Sequence, residues 1–282
     1  MGSLLAYYIH DLSPFLIRFS GDWGIRYYGL AYLVSFWILF WGMGWFFQRG
    51  WSEVPLEKRG DLLTWAVVGT LLGGRLGYCL FYDWDTTWRD PLSVIAFWRG
   101  GISGMASHGG FVGVVLAIGW FARRHRYAIW KLYDAVAIWA TPGFFLGRLA
   151  NFINGELWGR PATIPWAVIF PDSPLVDGRL VPRHPSQLYQ ALLEGLLLFV
   201  LLMWMRWRNP RPGLISAVML AGYGVARIVG ECFREPDAHI GYLWGGLTQG
   251  QVLSFFLIFG GGVVWWISEK ADARGVERKT NR

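Results

Sequence analysis

The sequence predicts an all-α integral membrane protein with about seven transmembrane helices, its N-terminus outside and its C-terminus in the cytoplasm. Of its 282 residues, 54% are hydrophobic and only 16% are charged, whereas soluble domains carry about a quarter charged residues. Apolar runs of about 20 residues recur along the chain, and each is long enough to cross the hydrocarbon core as a helix. The 19 Trp, 12 Tyr and 19 Phe residues match the aromatic belts that form at membrane interfaces.

Seven apolar segments are predicted to span the bilayer: 28–47, 62–81, 105–121, 132–153, 188–205, 213–233 and 251–268. Residues 1–27 mix apolar stretches with Pro14 and Gly21 and are predicted to form an outer interfacial arm. Residues 28–268 form the predicted seven-helix bundle, and residues 269–282 a basic cytoplasmic tail. The whole chain, 1–282, is therefore predicted to be a single transmembrane domain.

The basic residues of the loops predict the orientation. Segments after spans one, three, five and seven carry fifteen Lys and Arg residues, whereas the segments on the opposite side carry eight over longer stretches. The positive-inside rule therefore places the N-terminus outside and the C-terminus in the cytoplasm. The net charge of +7 is interpreted as this topology signal, and no nucleic-acid partner is predicted.

Three arginines, Arg75, Arg148 and Arg227, lie inside predicted spans. An arginine near the centre of a spanning helix costs about 2.5–3.5 kcal/mol on insertion scales, so these positions require an explanation. Each lies 16 or 17 residues from a basic residue at the cytoplasmic end of its span, which corresponds to roughly 24–26 Å along a helix. All three are therefore predicted at one level in the outer half of the bilayer.

Other polar side chains are predicted to reach the same level and to line a cavity open to the outer leaflet. His108 begins the third span from outside. On spans four, five and six, polar residues recur at helical spacing or follow the helix: Asn151, Asn154 and Glu156; Gln187, Gln190 and Glu194; Tyr223, Glu231 and Arg234.

Two interpretations of the charges remain open at this point. The arginines can pair with Glu156, Glu194 and Glu231 only to hold helices together, or they can form a functional site. Three arginines at one depth, beside His108, favour the functional interpretation. Arg75 supports it least, because the glycines around it, Gly69, Gly73 and Gly77, indicate a closely packed helix face.

Two other protein classes are compatible with intramembrane arginines. A transporter or channel for an anionic solute would commonly show repeat symmetry and a site near the midplane, and the sequence indicates neither. A binding or scaffold protein would explain the ion pairs, but not His108 followed by Gly109 and Gly110.

Four blocks of the sequence closely resemble the bacterial prolipoprotein diacylglyceryl transferases: GRLANFINGELWG at 147–159, SHGG at 107–110, HPSQLY at 184–189 and FREPD at 233–237. The resemblance extends from YYGL at 27–30 almost to the last span. Members of that family have seven spanning helices with the N-terminus outside, which agrees with the charge count. One departure is that the acidic residue often found after HPSQLY in the family is Gln190 here.

The resemblance implies a specific reaction. Family members transfer the diacylglyceryl group of phosphatidylglycerol to the thiol of a lipobox cysteine in a prolipoprotein signal peptide, and they release glycerol phosphate. It implies a multi-pass enzyme of the bacterial inner membrane, surrounded by membrane lipids, with its active site facing the outer leaflet. Neither a cofactor nor a metal ion is predicted.

The resemblance also implies the site residues. The expected catalytic residues are Tyr28, His108, Arg227 and Glu231. The expected substrate-binding residues are Arg148, Asn151, Glu156, Gly159, Tyr223 and Arg234.

The chemistry of the reaction fits these residue types. The thiolate is the nucleophile and the thiol has a reference pKa near 8.5, so an imidazole such as that of His108 is suited to accept the proton. Arginine is permanently charged and grips phosphate through two parallel donors. By resemblance, Arg148 would hold the head group and Arg227 would stabilise the leaving phosphate. The tyrosines and Asn151 would orient the substrate, and Glu156 and Glu231 would position the arginines.

Overall fold

Helices make up most of the chain. The computed structural model describes residues 7–21, 23–94, 104–236 and 241–280. Within them, the α-helices are α1 Tyr27–Gln48, α2 Arg59–Phe81, α3 Trp84–Arg89, α4 Ser107–His125, α5 Ile129–Ile153, α6 Ser186–Gln190, α7 Leu198–Trp207, α8 Leu214–Glu231 and α9 Gln249–Thr280. A π-helical turn, Ala191–Leu197, joins α6 to α7.

Six helical segments among the described residues are long and apolar enough to cross a membrane: Tyr27–Gln48, Leu56–Phe81, Ile129–Ile153, Ser186–Trp207, Leu214–Glu231 and Gln249–Ala273. They coincide with six of the seven predicted spans, which confirms a mostly helical integral membrane protein. The remaining predicted span, 105–121, is helical as α4 but is not among the six. Its glycines, two histidines and two arginines dilute the apolar content of the helix.

Four short strands supplement the helices within the described ranges. Strands β2 Phe15–Ser20 and β3 Trp23–Arg26 form an antiparallel hairpin that leads directly into α1, and β1 Tyr8–Ile9 pairs in parallel with β4 Val168–Ile169. The all-α prediction omitted these strands, because segments of two to six residues give little periodicity to detect. The predicted arm and tail extend outside the described residues at 1–6 and 281–282, and Asp237 of the FREPD block also lies outside them.

The chain divides into two compact units. The larger unit is Met1–Ile38 with Ala137–Arg282, and the smaller unit is Leu39–Val136, so the division falls inside α1 and α5. Each unit is described below by itself.

Glycines pack α2 against α4 in the smaller unit. A Cβ atom added at Gly73 would lie 2.8 Å from Gly113 Cα, and one added at Gly77 would lie 2.7 Å from Gly109 Cα. The two backbones therefore approach too closely for side chains at these positions. This confirms the closely packed face predicted from the glycine spacing.

Close approaches also bring three helical segments together in the larger unit. A Cβ atom added at Gly195 of the π-helical turn would lie 2.6 Å from the Phe145 backbone of α5, and one at Gly230 of α8 would lie 2.7 Å from Gln190 Cγ. These contacts hold α5 against the π-helical turn, and α8 against the last residue of α6, directly before that turn. A charged residue lies close to these contacts on α5, in the π-helical turn and on α8.

Candidate functional site

Five charged residues form a continuous chain of ion pairs in the larger unit. Arg148 of α5 donates from Nε and Nη2 to Glu194 Oε2, both at 2.9 Å. The other oxygen of Glu194 lies 3.5 Å from Arg227 Nη1 of α8. Glu231 Oε1 then lies 2.8 Å from Arg227 Nη2 and 3.0 Å from Arg234 Nη1. Three arginines therefore share two glutamates, which leaves a formal excess of one positive charge.

The cations of this chain are more accessible than the carboxylates. The side chains of Arg148 and Arg227 are each 15% exposed, whereas Glu194 is 0% exposed and Glu231 is 2% exposed. The carboxylates lie behind the guanidinium groups, so an approaching ligand meets donors and positive charge. This arrangement suits an anion, and in particular a phosphate ester, because guanidinium groups bind phosphate oxygens through paired N–H donors.

A second cluster surrounds Glu156, just after the end of α5. Asn151 donates from Nδ2 to Glu156 Oε1 at 2.7 Å, and Asn154 Nδ2 lies 3.4 Å from the same oxygen. Gln187 donates from Nε2 to the Glu156 backbone carbonyl at 2.6 Å. Among the described residues, the hydrogen-bond partners of the Glu156 carboxylate are thus amides, and the carboxylate that faces Arg148 is Glu194. The expectation that Glu156 positions an arginine is therefore not what these contacts show.

Two of the predicted tyrosines lie beside these clusters. Tyr28, in the first turn of α1, is close enough to Arg148 and Glu156 for electrostatic interaction, and its ring packs on Tyr32 with centroids 5.5 Å apart. Tyr223 of α8 is partly buried next to Arg148, and its ring lies tilted against that of Phe144 with centroids 5.0 Å apart. Both tyrosines thus lie close to Arg148.

Gly159 lies in a backbone ladder that joins three segments of the larger unit. Its N–H donates to the His184 carbonyl at 2.9 Å, and the next residue, Arg160, donates from its backbone to the Phe233 carbonyl at 2.9 Å. A Cβ atom added at Gly159 would lie 2.6 Å from the Phe233 carbonyl oxygen. Gly159 therefore contributes the space that lets the ladder close next to Arg234.

Arg183 secures the same ladder, although sequence reasoning counted it only as a loop charge. Its side chain is almost fully buried and donates to the carbonyls of Gly159 at 3.2 Å and Pro174 at 2.8 Å, and to Glu235 at 3.1 Å. The adjacent His184 is partly buried, and this burial lowers the pKa of its imidazole. No periodicity in the sequence marks Arg183, because its partners are distant in the chain.

The smaller unit holds the remaining predicted residues, His108 and Arg75. His108 is exposed in the first turn of α4. Arg75 donates to the backbone carbonyls of Ser93 at 2.6 Å, Val94 at 2.9 Å and Gly104 at 3.3 Å. The structure thus connects nine of the ten predicted site residues within the larger unit, while His108 lies in the other unit.

Glu194 is the main residue of the cluster that the predicted site lacked. Its position in a helical stripe with Gln187 and Gln190 was visible in the sequence, but its contacts with two arginines on other helices were not. Thr248 was also missed; its hydroxyl donates to Glu231 Oε2 at 2.9 Å. Among the described residues, no group of three or more His, Cys, Asp or Glu residues is arranged to hold a metal ion.

Comparisons with known proteins agree with the resemblance seen in the sequence blocks. The family profile described as prolipoprotein diacylglyceryl transferase matches residues 14–267. A phosphatidylglycerol–prolipoprotein diacylglyceryl transferase of Rhodospirillum centenum is 49% identical over 255 residues, covering 88% of this chain and 87% of the relative. Proteins of the same name from Sinorhizobium medicae and Rhodospirillum rubrum are each 46% identical and cover 90% and 94% of this chain and 90% and 95% of their own lengths. The chain therefore belongs to the prolipoprotein diacylglyceryl transferase family.

Proposed function

We propose that this protein transfers the diacylglyceryl group of phosphatidylglycerol to the thiol of a lipobox cysteine in a prolipoprotein, the first step of bacterial lipoprotein maturation. The observation that carries the proposal is the buried chain of three arginines and two glutamates, with its cations on the accessible side. Membership of a transferase family whose members are named for this lipid and this protein substrate supports it.

The reaction forms one bond and breaks one. The cysteine sulfur attacks the glycerol carbon of the diacylglyceryl group that carries the phosphate. A C–S thioether bond forms, the C–O bond to phosphate breaks, and glycerol phosphate leaves with the bonding electrons. The thiol proton must leave before or during the attack, and the departing phosphate gains negative charge.

The proposed roles follow from this change of charge. His108 accepts the thiol proton, Arg148 binds the head-group phosphate, and Arg227 stabilises the departing phosphate, because a fixed cation acts most strongly where charge develops. Arg234 and Glu231 extend the same charged chain. The remaining predicted residues bind and orient substrate: Tyr28, Asn151, Glu156, Gly159 and Tyr223.

The proposed topology has seven spans, with α4 as the additional one, and the N-terminus outside. The fifteen-to-eight distribution of Lys and Arg between the two sides supports it. We further propose that the protein resides in the bacterial inner membrane as a single transmembrane domain, with its site open to the outer leaflet. Cysteine labels near Asp85 and Asp172 should then react with an impermeant reagent from outside, and labels near Arg124 and Arg208 should not. Reaction of both sets from the same side would overturn the topology.

The function is tested with purified protein, phosphatidylglycerol and a peptide that carries a lipobox cysteine. The expected product is a peptide heavier by one diacylglyceryl group, detected by mass spectrometry together with free glycerol phosphate. A peptide with serine in place of the cysteine is the matched control and should remain unmodified. Absence of the thioether product with the cysteine peptide would refute the proposed function.

A further inference from the structure

Glu194 connects three helical segments through its ion pairs with two arginines. It lies in the π-helical turn, while Arg148 lies on α5 and Arg227 on α8. Its side chain is completely buried. A buried carboxylate is costly unless it is paired and hydrogen-bonded, and here two guanidinium groups supply the pairing.

The two arginines depend on Glu194 to different degrees. Arg148 donates to it through two nitrogens at 2.9 Å, and Glu194 is the carboxylate that pairs with Arg148 among the described residues. Arg227 lies 3.5 Å from Glu194 but 2.8 Å from Glu231, so it keeps a close carboxylate if Glu194 is lost. Glu194 thus holds Arg148 firmly and Arg227 only in part.

The π-helical turn places the carboxylate between the two arginines. An i→i+5 turn widens the helix and rotates the residues that follow it relative to an uninterrupted α-helix. Glu194 is the fourth residue of this turn, and Gly195 directly after it permits the close contact with Phe145 of α5. Isolated π-helical turns are frequent at functional sites, and this one carries the carboxylate that both arginines share.

We infer that Glu194 is a positioning residue that fixes the direction of the Arg148 guanidinium toward the lipid phosphate and, to a smaller degree, its spacing from Arg227. The inference rests on the proposed function, which assigns Arg148 to head-group binding and Arg227 to the departing phosphate. Because Arg148 depends on Glu194 more than Arg227 does, loss of Glu194 weakens phosphatidylglycerol binding more than it slows the chemical step.

The test compares Glu194→Gln with Glu231→Gln in detergent-purified protein. Three quantities are measured: the dissociation constant for phosphatidylglycerol by tryptophan fluorescence, and KM and kcat for transfer to a lipobox peptide. Glu194→Gln should raise both the dissociation constant and KM about tenfold or more, with a smaller change in kcat. Glu231→Gln should instead change kcat more than it changes the dissociation constant and KM, because Glu231 contacts Arg227 and Arg234.

A second variant and a control separate positioning from folding. Glu194→Asp keeps the charge but shortens the side chain by one methylene, and its dissociation constant should lie between those of the wild type and Glu194→Gln. Glu235→Gln removes a carboxylate from the Arg183 pair, which lies outside the charged chain. This variant should change neither the dissociation constant nor KM. All values are normalised to folded protein measured by thermal unfolding.

The results distinguish failure of the positioning role from failure of the transferase function. Wild-type constants in folded Glu194→Gln, or in Glu194→Asp if the Gln variant does not fold, would overturn the positioning role. An equal effect of Glu235→Gln would overturn it as well. Wild-type protein that binds phosphatidylglycerol but forms no thioether would refute the transferase function, while the dissociation constants of the variants would still test the positioning role. Wild-type protein that binds no phosphatidylglycerol would overturn both.

Discussion

Arg75 and Arg148 have similar places in the sequence but different surroundings in the structure. Each lies 16 or 17 residues from a basic residue at the start of its helix. Arg75 donates to three backbone carbonyls, those of Ser93, Val94 and Gly104, whereas Arg148 donates to the carboxylate of Glu194. The first set of contacts joins residues 93–94 to Gly104 in the smaller unit, and the second belongs to a charged chain in the larger unit.

The difference separates two uses of a buried arginine. The Arg75 guanidinium donates to carbonyls at two places in the chain, residues 93–94 and Gly104, and so stabilises the local fold. The neighbouring glycines of α2 and α4 add close backbone packing. Carboxylate acceptors instead hold several cations close together, so the group keeps a net positive charge that an anion can neutralise. Burial of arginine therefore does not by itself indicate a binding site; the chemistry of its partners does.

The largest effect is expected at His108. A large loss of rate in its variants would show that the smaller unit takes part in the chemistry as well as in helix packing. His108→Gln should lower the rate near pH 7 by ~10²–10⁴-fold if the imidazole is the general base. The rate should recover partly as the pH approaches about 8.5, because the thiolate then forms unaided. Rate against pH at saturating phosphatidylglycerol measures this recovery.

Arg227→Gln is the control for the pH experiment. Higher pH cannot replace a cation that faces the departing phosphate, so this variant should lack the alkaline recovery. Parallel pH profiles for the two variants would exclude His108 as the base and leave it a residue that positions substrate.

Arg148→Lys and Arg75→Lys test the comparison directly. Lysine keeps the charge but loses the forked donors, so Arg148→Lys should lower activity ~10²-fold through misplaced substrate while the protein still folds. Arg75→Lys should lower the temperature of unfolding, since the loop carbonyls lose donors, with the rate per folded molecule unchanged. Equal loss of rate in both variants would contradict the distinction between a structural Arg75 and a substrate-binding Arg148.

A smaller effect is expected from Gly73→Ala in the glycine-packed helix pair. The added Cβ would lie 2.8 Å from Gly113 Cα, and such overpacking costs about 1–3 kcal/mol. Gly60→Ala in the same helix is the control, because nothing lies within 4 Å of its Cβ position. Thermal unfolding of both variants in one detergent gives the comparison. An equally stable Gly73→Ala protein would contradict the close contact.

The smallest effect is expected at Gln190, whose buried amide nitrogen and oxygen have no hydrogen-bond partner among the described residues. An unpaired buried polar group costs about 1–3 kcal/mol, so Gln190→Met should raise the temperature of unfolding. Gln187→Met should lower it, since Gln187 donates to the Glu156 carbonyl. A less stable Gln190→Met protein would show that the amide has a partner, such as bound water or lipid.

Contacts between residues three or four apart in the chain were the part of the site that the sequence predicted well. Arg227, Glu231 and Arg234 follow one another by four and three residues, and the structure joins them in ion pairs. The spacing indicates such contacts because residues three and four apart share a helix face, although α8 ends at Glu231 and Arg234 lies three residues beyond it. The apolar runs likewise predicted five helices within a few residues of their ends, whereas α9 continues to Thr280, twelve residues past the predicted end of its span at 268.

Contacts between distant segments were not predictable in the same way. Glu194 is 46 residues from Arg148 and 33 from Arg227, and spacing along the chain carries no information about such pairs. Arg183 appeared as one more loop charge, since its burial depends on carbonyls contributed by separate segments.

The pairing of β1 with β4 has a consequence for the order in which the protein is assembled. Strand β1 is made among the first residues, but its partner, Val168–Ile169, emerges about 160 residues later. At 5–20 residues per second, ribosomal synthesis of that interval takes roughly 8–30 s. Throughout this time Tyr8–Ile9 has no strand to join, and His10 lacks the Ile169 carbonyl that later accepts its backbone N–H. Strand β1 can therefore pair only after three of the six apolar helices, Tyr27–Gln48, Leu56–Phe81 and Ile129–Ile153, have been synthesised.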